Sequence, residues 1–121
     1  MYQPAVLRSL KRIIGEGNKA GIMVGMCGEA AADPLLIPIL MSFGLDEYSV
    51  SAPSILRTRR ILSLWTKEEA DALAEKVMAL KTATEVTTDM PNRRRISAFP
   101  EADSSMTMPT TTAFSSRTTG E

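Results

Sequence analysis

Ile22-Met23-Val24-Gly25-Met26-Cys27-Gly28-Glu29 is the stretch on which the reading of this chain turns. From Ile22 to Cys27 it is apolar except for Gly25, too short for an ordinary helix and the right length for a buried strand. Glycine inside a strand signals close backbone approach or a bend. Upstream, Pro4 suits the first turn of a helix. Val6, Leu7, Leu10, Ile13 and Ile14 follow at the spacing of one helical face. Arg8, Lys11, Arg12 and Glu16 take the other side, and Gly21 caps the end.

Downstream, the small residues Gly28 to Ala32 read as a loop. Asp33-Pro34 opens a second helix, Asp as N-cap and Pro at the first helical position. Its body is the apolar run Leu35 to Phe43, with Pro38 near its first turn, and Gly44 stops it. Leu45 to Ser51 is a second short strand. Ser51, Pro53 and Ser54 open a third helix that runs to about Leu64 with a basic face of Arg57, Arg59 and Arg60. Thr66 with Glu69 three residues later is a capping box for a fourth, whose apolar stripe is Ala70, Leu73, Ala74, Val77 and Leu80. Strands alternating with helices predict parallel βα units, hence an α/β fold. Two parallel strands alone leave both edges and one face uncovered. The element order therefore reads as the closing piece of a larger barrel or sheet.

Composition narrows the chemistry. The chain has 121 residues, room for one small domain. Fourteen Lys and Arg balance 14 Asp and Glu, which argues against a phosphate-tracking nucleic-acid binder. There is no histidine, which excludes a Ser–His or Cys–His dyad, an imidazole metal site and a phosphohistidine within the chain. The lone cysteine, Cys27, excludes an internal disulfide and fits a reducing cytoplasm. The longest apolar run, Pro34 to Phe43, is about half of what spans a bilayer, and no signal peptide is legible, so the expectation is a cytoplasmic chain with no membrane role. Residues 1–86 form the folded part. Residues 87–121 hold 8 Thr, 5 Ser and 3 Pro with Ile96 as their one Leu, Ile or Val, and such a segment is predicted to be a disordered tail.

Cys27 is the residue with the most chemical promise. It ends the first strand, and active sites of parallel α/β folds are built at that end. A thiol there can be a nucleophile if its pKa is depressed, or a general acid toward a carbanion, or merely a small buried hydrophobe. Asp33, Asp46 and Glu47 offer oxygen ligands to a hard cation, but Asp33 also reads as a cap and Asp46-Glu47 as the start of a strand. Arg57, Arg59 and Arg60 read as a phosphate site or a solvated helix face, and Arg93-Arg94-Arg95-Ile96-Ser97 as a basic patch or a kinase target.

Gly25-Met26-Cys27-Gly28-Glu29, together with Pro4-Ala5-Val6-Leu7-Arg8 and Gly44-Leu45-Asp46-Glu47-Tyr48-Ser49-Val50-Ser51, resembles the end of the phosphoenolpyruvate–protein phosphotransferases, Enzyme I of the bacterial sugar phosphotransferase system. The likeness runs from about Gln3 to about Val86. Pyruvate phosphate dikinase and phosphoenolpyruvate synthase share the cysteine motif, while Asp-Glu-Tyr-Ser-Val-Ser looks closer to Enzyme I. The resemblance implies a (β/α)8 TIM-type barrel that binds phosphoenolpyruvate and Mg²⁺, dimerises and passes a phosphoryl group to a phosphocarrier protein. The two strands would be the seventh and eighth, the last quarter of the barrel. Cys27 matches the family's proton donor, which protonates the enolate carbon as the phosphoryl group leaves for a histidine.

The departures bear on what this chain can do. The family's phosphorylated histidine, its phosphate-binding arginines and its metal carboxylates have no counterpart among these residues. The family often has His at the positions of Gln3 and Asn18. The expectation is a fragment that keeps the acid, lacks the rest of the substrate site and has no ligand set for Mg²⁺, inactive alone. A non-catalytic interaction protein, pairing through its strand edges with a complementing barrel fragment or with a copy of itself, and a relic are the readings from other classes.

Overall fold

Apolar residues on one side of the first twenty residues produce a long amphipathic helix, α1, Pro4–Lys19. The structure, a computed structural model, describes residues 2–88. The element order after α1 is β1 (Gly25–Cys27), α2 (Glu29–Ala32), α3 (Leu36–Phe43), β2 (Glu47–Ser49), a short 3₁₀ turn (Ala52–Ser54), α4 (Ile55–Ser63), α5 (Lys67–Ala79) and α6 (Ala83–Thr88). The strands pair in parallel, Gly25 opposite Glu47, Met26 opposite Tyr48 and Cys27 opposite Ser49. This is the α/β arrangement that the alternation predicts.

The centre of the core is α3. Leu36, Ile37, Ile39 and Leu40 are wholly buried, and the helix packs against α1, α2, α4 and α5. A helix apolar on every side belongs inside, and each such side chain contributes about 1.5–3 kcal/mol by leaving water. Both ends are set by sequence. The regular helix begins at Leu36 with Leu35 as its N-cap, two residues later than Asp33-Pro34 predicts, because Pro38 has no N–H to donate to the Pro34 carbonyl. Ahead of it Asp33 holds a turn: its carboxylate accepts from Leu35 N (2.9 Å) and its carbonyl from Leu36 N and Ile37 N (both 3.0 Å). At the other end Gly44 takes φ +85°. Its N–H donates to Met41 O and that of Leu45 to Leu40 O, both 3.1 Å, the paired bonds of a Schellman turn.

Around α3, Leu7 and Ile14 of α1, Ile61 of α4 and Leu73, Ala74 and Val77 of α5 close the core. The capping box of α5 forms as expected: Glu69 N donates to Thr66 Oγ1 and Thr66 N to Glu69 Oε2, each 3.2 Å. Ser42 of α3 and Lys67 of α5 both donate to Asp71. Those bonds, Lys67 first, hold the Asp71 carboxyl below the usual carboxylate range. Lys11 of α1 lies 5.8 Å from the centre of the Phe43 ring, a cation–π contact. Gly17 is required by space, because a Cβ there would stand 2.3 Å from the Val24 side chain.

Several expectations are corrected. Val6 and Ile13, placed on the buried face of the first helix, are 39% and 61% exposed. The face that packs is Pro4, Leu7, Ile14 and Gly17, about a quarter turn away, since successive residues step 100° around the axis. The strands are shorter than Ile22–Cys27 and Leu45–Ser51, and Ile22 is exposed rather than buried. Gly28 to Ala32 is not a loop: α2 begins after Gly28. The third helix starts with a 3₁₀ turn and becomes α-helical only at Ile55. Finally, α6 runs through Thr88, so the segment beginning at residue 87 is helical at its start. The remainder of the expected disordered tail, with Arg93-Arg94-Arg95-Ile96-Ser97, lies outside the described residues.

Candidate functional site

Alternation along the two strands gives the sheet two unlike faces. Val24, Met26 and Tyr48 pack on the core. The Tyr48 hydroxyl donates to Ile37 O (3.3 Å), and burial pushes its pKa above the ordinary tyrosine range. Gly25, Cys27, Glu47 and Ser49 form the opposite face and are exposed.

On this open face, Cys27 is a free thiol at the carboxyl end of β1. The reading of Cys27 as a buried hydrophobe is thereby overturned: the pleat that turns Met26 into the core turns its neighbour outward. Ser49 is its register partner, on a strand about 4.8 Å away. The Ser49 hydroxyl donates to Glu47 Oε1 (2.8 Å). The Glu47 carboxylate lies across Gly25, where a Cβ would meet Glu47 Cβ at 3.3 Å and Oε2 at 3.5 Å. Immediately beyond Cys27, Gly28 N donates to Ser49 O (3.2 Å) and closes the ends of the two strands together.

The other candidates take different places. Asp46 starts the second strand: its carboxylate accepts from Val24 N (2.8 Å), and its own N–H donates to Val24 O (3.0 Å). Asp33 holds the turn that leads into α3, accepting from Leu35 N, and accepts the Tyr2 hydroxyl, whose pKa is pushed up by burial and by that bond. Among the described residues no three metal-ligating side chains stand together. Asp33 and Asp46 already serve backbone donors and Glu47 accepts from Ser49, so these residues do not fit the Mg²⁺ that the resemblance implies. Arg57, Arg59 and Arg60 lie on the exposed side of α4, away from Thr58 and Ile61, which are buried. Ser49 shares this face with Cys27 and was not singled out from the sequence. The signal was present in the two-residue period of Glu47-Tyr48-Ser49, which puts Ser49 on whichever face Glu47 takes.

Among the described residues no helix is long and apolar enough to cross a membrane. Residues 1–66 match the family described as PEP-utilising enzyme, PEP-binding domain. The phosphoenolpyruvate-protein phosphotransferases of Geobacillus stearothermophilus and Bacillus subtilis (strain 168) are 51% and 47% identical to this chain over 85 residues. The same protein of Staphylococcus aureus is 44% identical over the same length. In each case the match covers 70% of this chain and 15% of the relative, so the chain spans about a seventh of the length of the curated relatives it matches.

Proposed function

Because the chain belongs to the family of PEP-utilising enzymes, through their PEP-binding domain, we propose that it supplies the proton-donating corner of a phosphoenolpyruvate–protein phosphotransferase. The observation that carries this reading is the place of Cys27: exposed, at the carboxyl end of a parallel strand, on the one sheet face not used by the core. The two strands and their helices are, in this reading, the last quarter of a (β/α)8 barrel, in which that face looks inward at the substrate. The names of the relatives support a protein phosphoryl acceptor over the dikinase and synthase readings.

The chemistry assigns one step to this chain. The phosphoryl group of phosphoenolpyruvate leaves its enol oxygen for an imidazole nitrogen of a protein histidine; a P–O bond breaks and a P–N bond forms. That histidine belongs to a phosphoryl-accepting domain, since this chain has none. The electron pair left behind makes the enolate of pyruvate. Its terminal carbon takes the proton of the Cys27 thiol, a C–H bond forms as the S–H bond breaks, and pyruvate and a thiolate result. Solvent restores the thiol proton. A well-placed acid of this kind is worth about 10²–10⁴-fold in rate. Electrostatic clamping of the phosphate, which contributes more, has to come from elsewhere, and among the described residues no three ligands stand together for the family's Mg²⁺. The chain alone is therefore inactive.

The test is a phosphoenolpyruvate-dependent assay with Mg²⁺ and a phosphocarrier acceptor. It is run on the chain alone and on the chain mixed with the rest of the PEP-binding and histidine-bearing domains of the Geobacillus stearothermophilus protein. The expected result is no turnover alone, turnover in the mixture, and a loss of about 10²–10⁴-fold in Cys27→Ala. Turnover in the mixture that is indifferent to Cys27→Ala would remove the acid assignment.

A further inference from the structure

The proton transfer assigned to Cys27 leaves a thiolate, and a thiolate close to a carboxylate is costly unless a donor reaches it. The sheet face that carries the thiol consists of Gly25, Cys27, Glu47 and Ser49. Of these, Ser49 alone bears an O–H or N–H on its side chain. It stands directly opposite Cys27 in the register, at a strand spacing of about 4.8 Å. The sulfur and the hydroxyl oxygen each lie one bond beyond Cβ on the same side of the sheet. Rotation about single side-chain torsions brings such a pair within hydrogen-bond reach. Gly28 N donates to Ser49 O (3.2 Å). The Ser49 backbone is thereby held against the end of β1, and only its side chain has to turn.

While the thiol is neutral, the hydroxyl has another acceptor. It donates to Glu47 Oε1 (2.8 Å), two residues back on the same face. The Glu47 carboxylate can lie over β1 because Gly25 has no side chain there. A neutral thiol is a weak acceptor and does not compete with a carboxylate for an O–H; a thiolate does. The other groups near the sulfur give it no help. Of the elements packed against β1, β2 brings Glu47 and α2 brings Glu29, both acidic, and a negative charge disfavours a second one beside it. Asp46 is taken up by Val24 N at the far end of the strands.

We infer that Ser49 is the positioning residue of Cys27: its hydroxyl turns from Glu47 to the sulfur once the thiol has given up its proton, and returns when solvent restores that proton. The electron pair of the S–H bond stays on sulfur, the hydroxyl keeps its own proton throughout, and only its acceptor changes. The inference deepens the proton-donor reading and rests on it. Cys27 is the one cysteine of the chain, so its alkylation by iodoacetamide can be followed against pH on the full chain, with circular dichroism to establish that each variant is folded. Ser49→Ala is expected to raise the midpoint of that profile by about one pH unit, and Ser49→Thr, which keeps the hydroxyl, to restore it. Glu47→Gln takes the hydroxyl's charged acceptor away and lowers the midpoint. It lowers it less in the Ser49→Ala background, whereas a pure charge effect would be equal in both. A midpoint unmoved by Ser49→Ala in a folded chain would overturn the inference, as would a Glu47→Gln shift that is indifferent to Ser49. Alkylation profiles that move as expected, beside phosphotransfer that survives Cys27→Ala, remove the acid role and keep the Ser49 bond to the thiolate. An essential Cys27 with an indifferent Ser49 removes this inference alone.

Discussion

The Asn18 side-chain amide of α1 donates to the carbonyl of Gly44, 3.0 Å away, and ties the end of α1 to the end of α3. The two residues fit each other closely. Gly44 holds a left-handed conformation, and a Cβ on it would stand 2.6 Å from Asn18 Nδ2. Asn18 is thus a structural tie between helices.

Gly44→Ala is expected to cost about 1–2 kcal/mol from backbone strain alone. Asn18→Ala is expected to cost about 1 kcal/mol for the lost hydrogen bond. The double variant should cost less than the sum, because removing the amide relieves the clash. Urea denaturation of the four proteins reads the cycle, and strict additivity would show that the contact is not coupled.

Val86 is wholly buried on a helix that starts with its own capping box: Glu85 N donates to Thr82 Oγ1 (3.2 Å) and Thr82 N to Glu85 Oε2 (3.3 Å). Val86→Ala should lower stability by about 1–3 kcal/mol, and Thr82→Ala by about 1 kcal/mol. Thermal melts that leave both at the wild-type midpoint would mean that α6 does not dock.

Asp71 joins α3 to α5 through Ser42 and Lys67, a link that acid is expected to weaken. Its carboxyl is held below its unfolded value by Lys67 and Ser42. The stabilisation is therefore fully present above the ordinary carboxylate pKa of about 4 and is lost as pH falls through the lowered folded value. Asp71→Asn should be less stable than wild type at neutral pH, and the gap should close below about pH 4. Urea midpoints measured from pH 7 down to pH 2 give the answer; a gap that is constant with pH rules the carboxylate out.

The Thr58 hydroxyl is buried in α4 without a hydrogen-bond partner. Thr58→Val keeps the shape and removes the unpaired polar atom, so it should raise stability by about 1 kcal/mol. A melt at or below the wild-type temperature would show that the hydroxyl is paired in solution.

Much of the fold was legible because local chemistry and tertiary packing agree. Asp33, Gly44 and the Thr66–Glu69 box sit at helix ends, where side chain and backbone decide the matter between them. What could not be read depends on neighbours. Val6 and Ile13 satisfy helical spacing as well as Leu7 and Ile14 do, and only the position of α3 decides which pair is covered. Cys27 was legible as a strand-end residue. Its exposure was not, because a short apolar strand does not announce which of its faces meets the core. Thr82-x-x-Glu85 carried the signature of a helix start, and the helix it opens crosses the boundary that the composition placed after Val86.

Asp46 has a consequence beyond starting a strand. By accepting from Val24 N and donating to Val24 O, it acts as a rung of the ladder built partly from a side chain. A backbone ladder tolerates sliding, because every carbonyl is like the next; a carboxylate occurs at one position only. A slip by one residue would break this rung, and it would turn over the strand that slides, sending Cys27 toward the core if β1 moves or Tyr48 into water if β2 moves. The orientation of the thiol is therefore chosen at the opposite end of the strand from the thiol itself. Asp46→Ala should be felt as a loss of facing, with Cys27 hidden from an alkylating reagent in part of the population, before it is felt as a loss of fold.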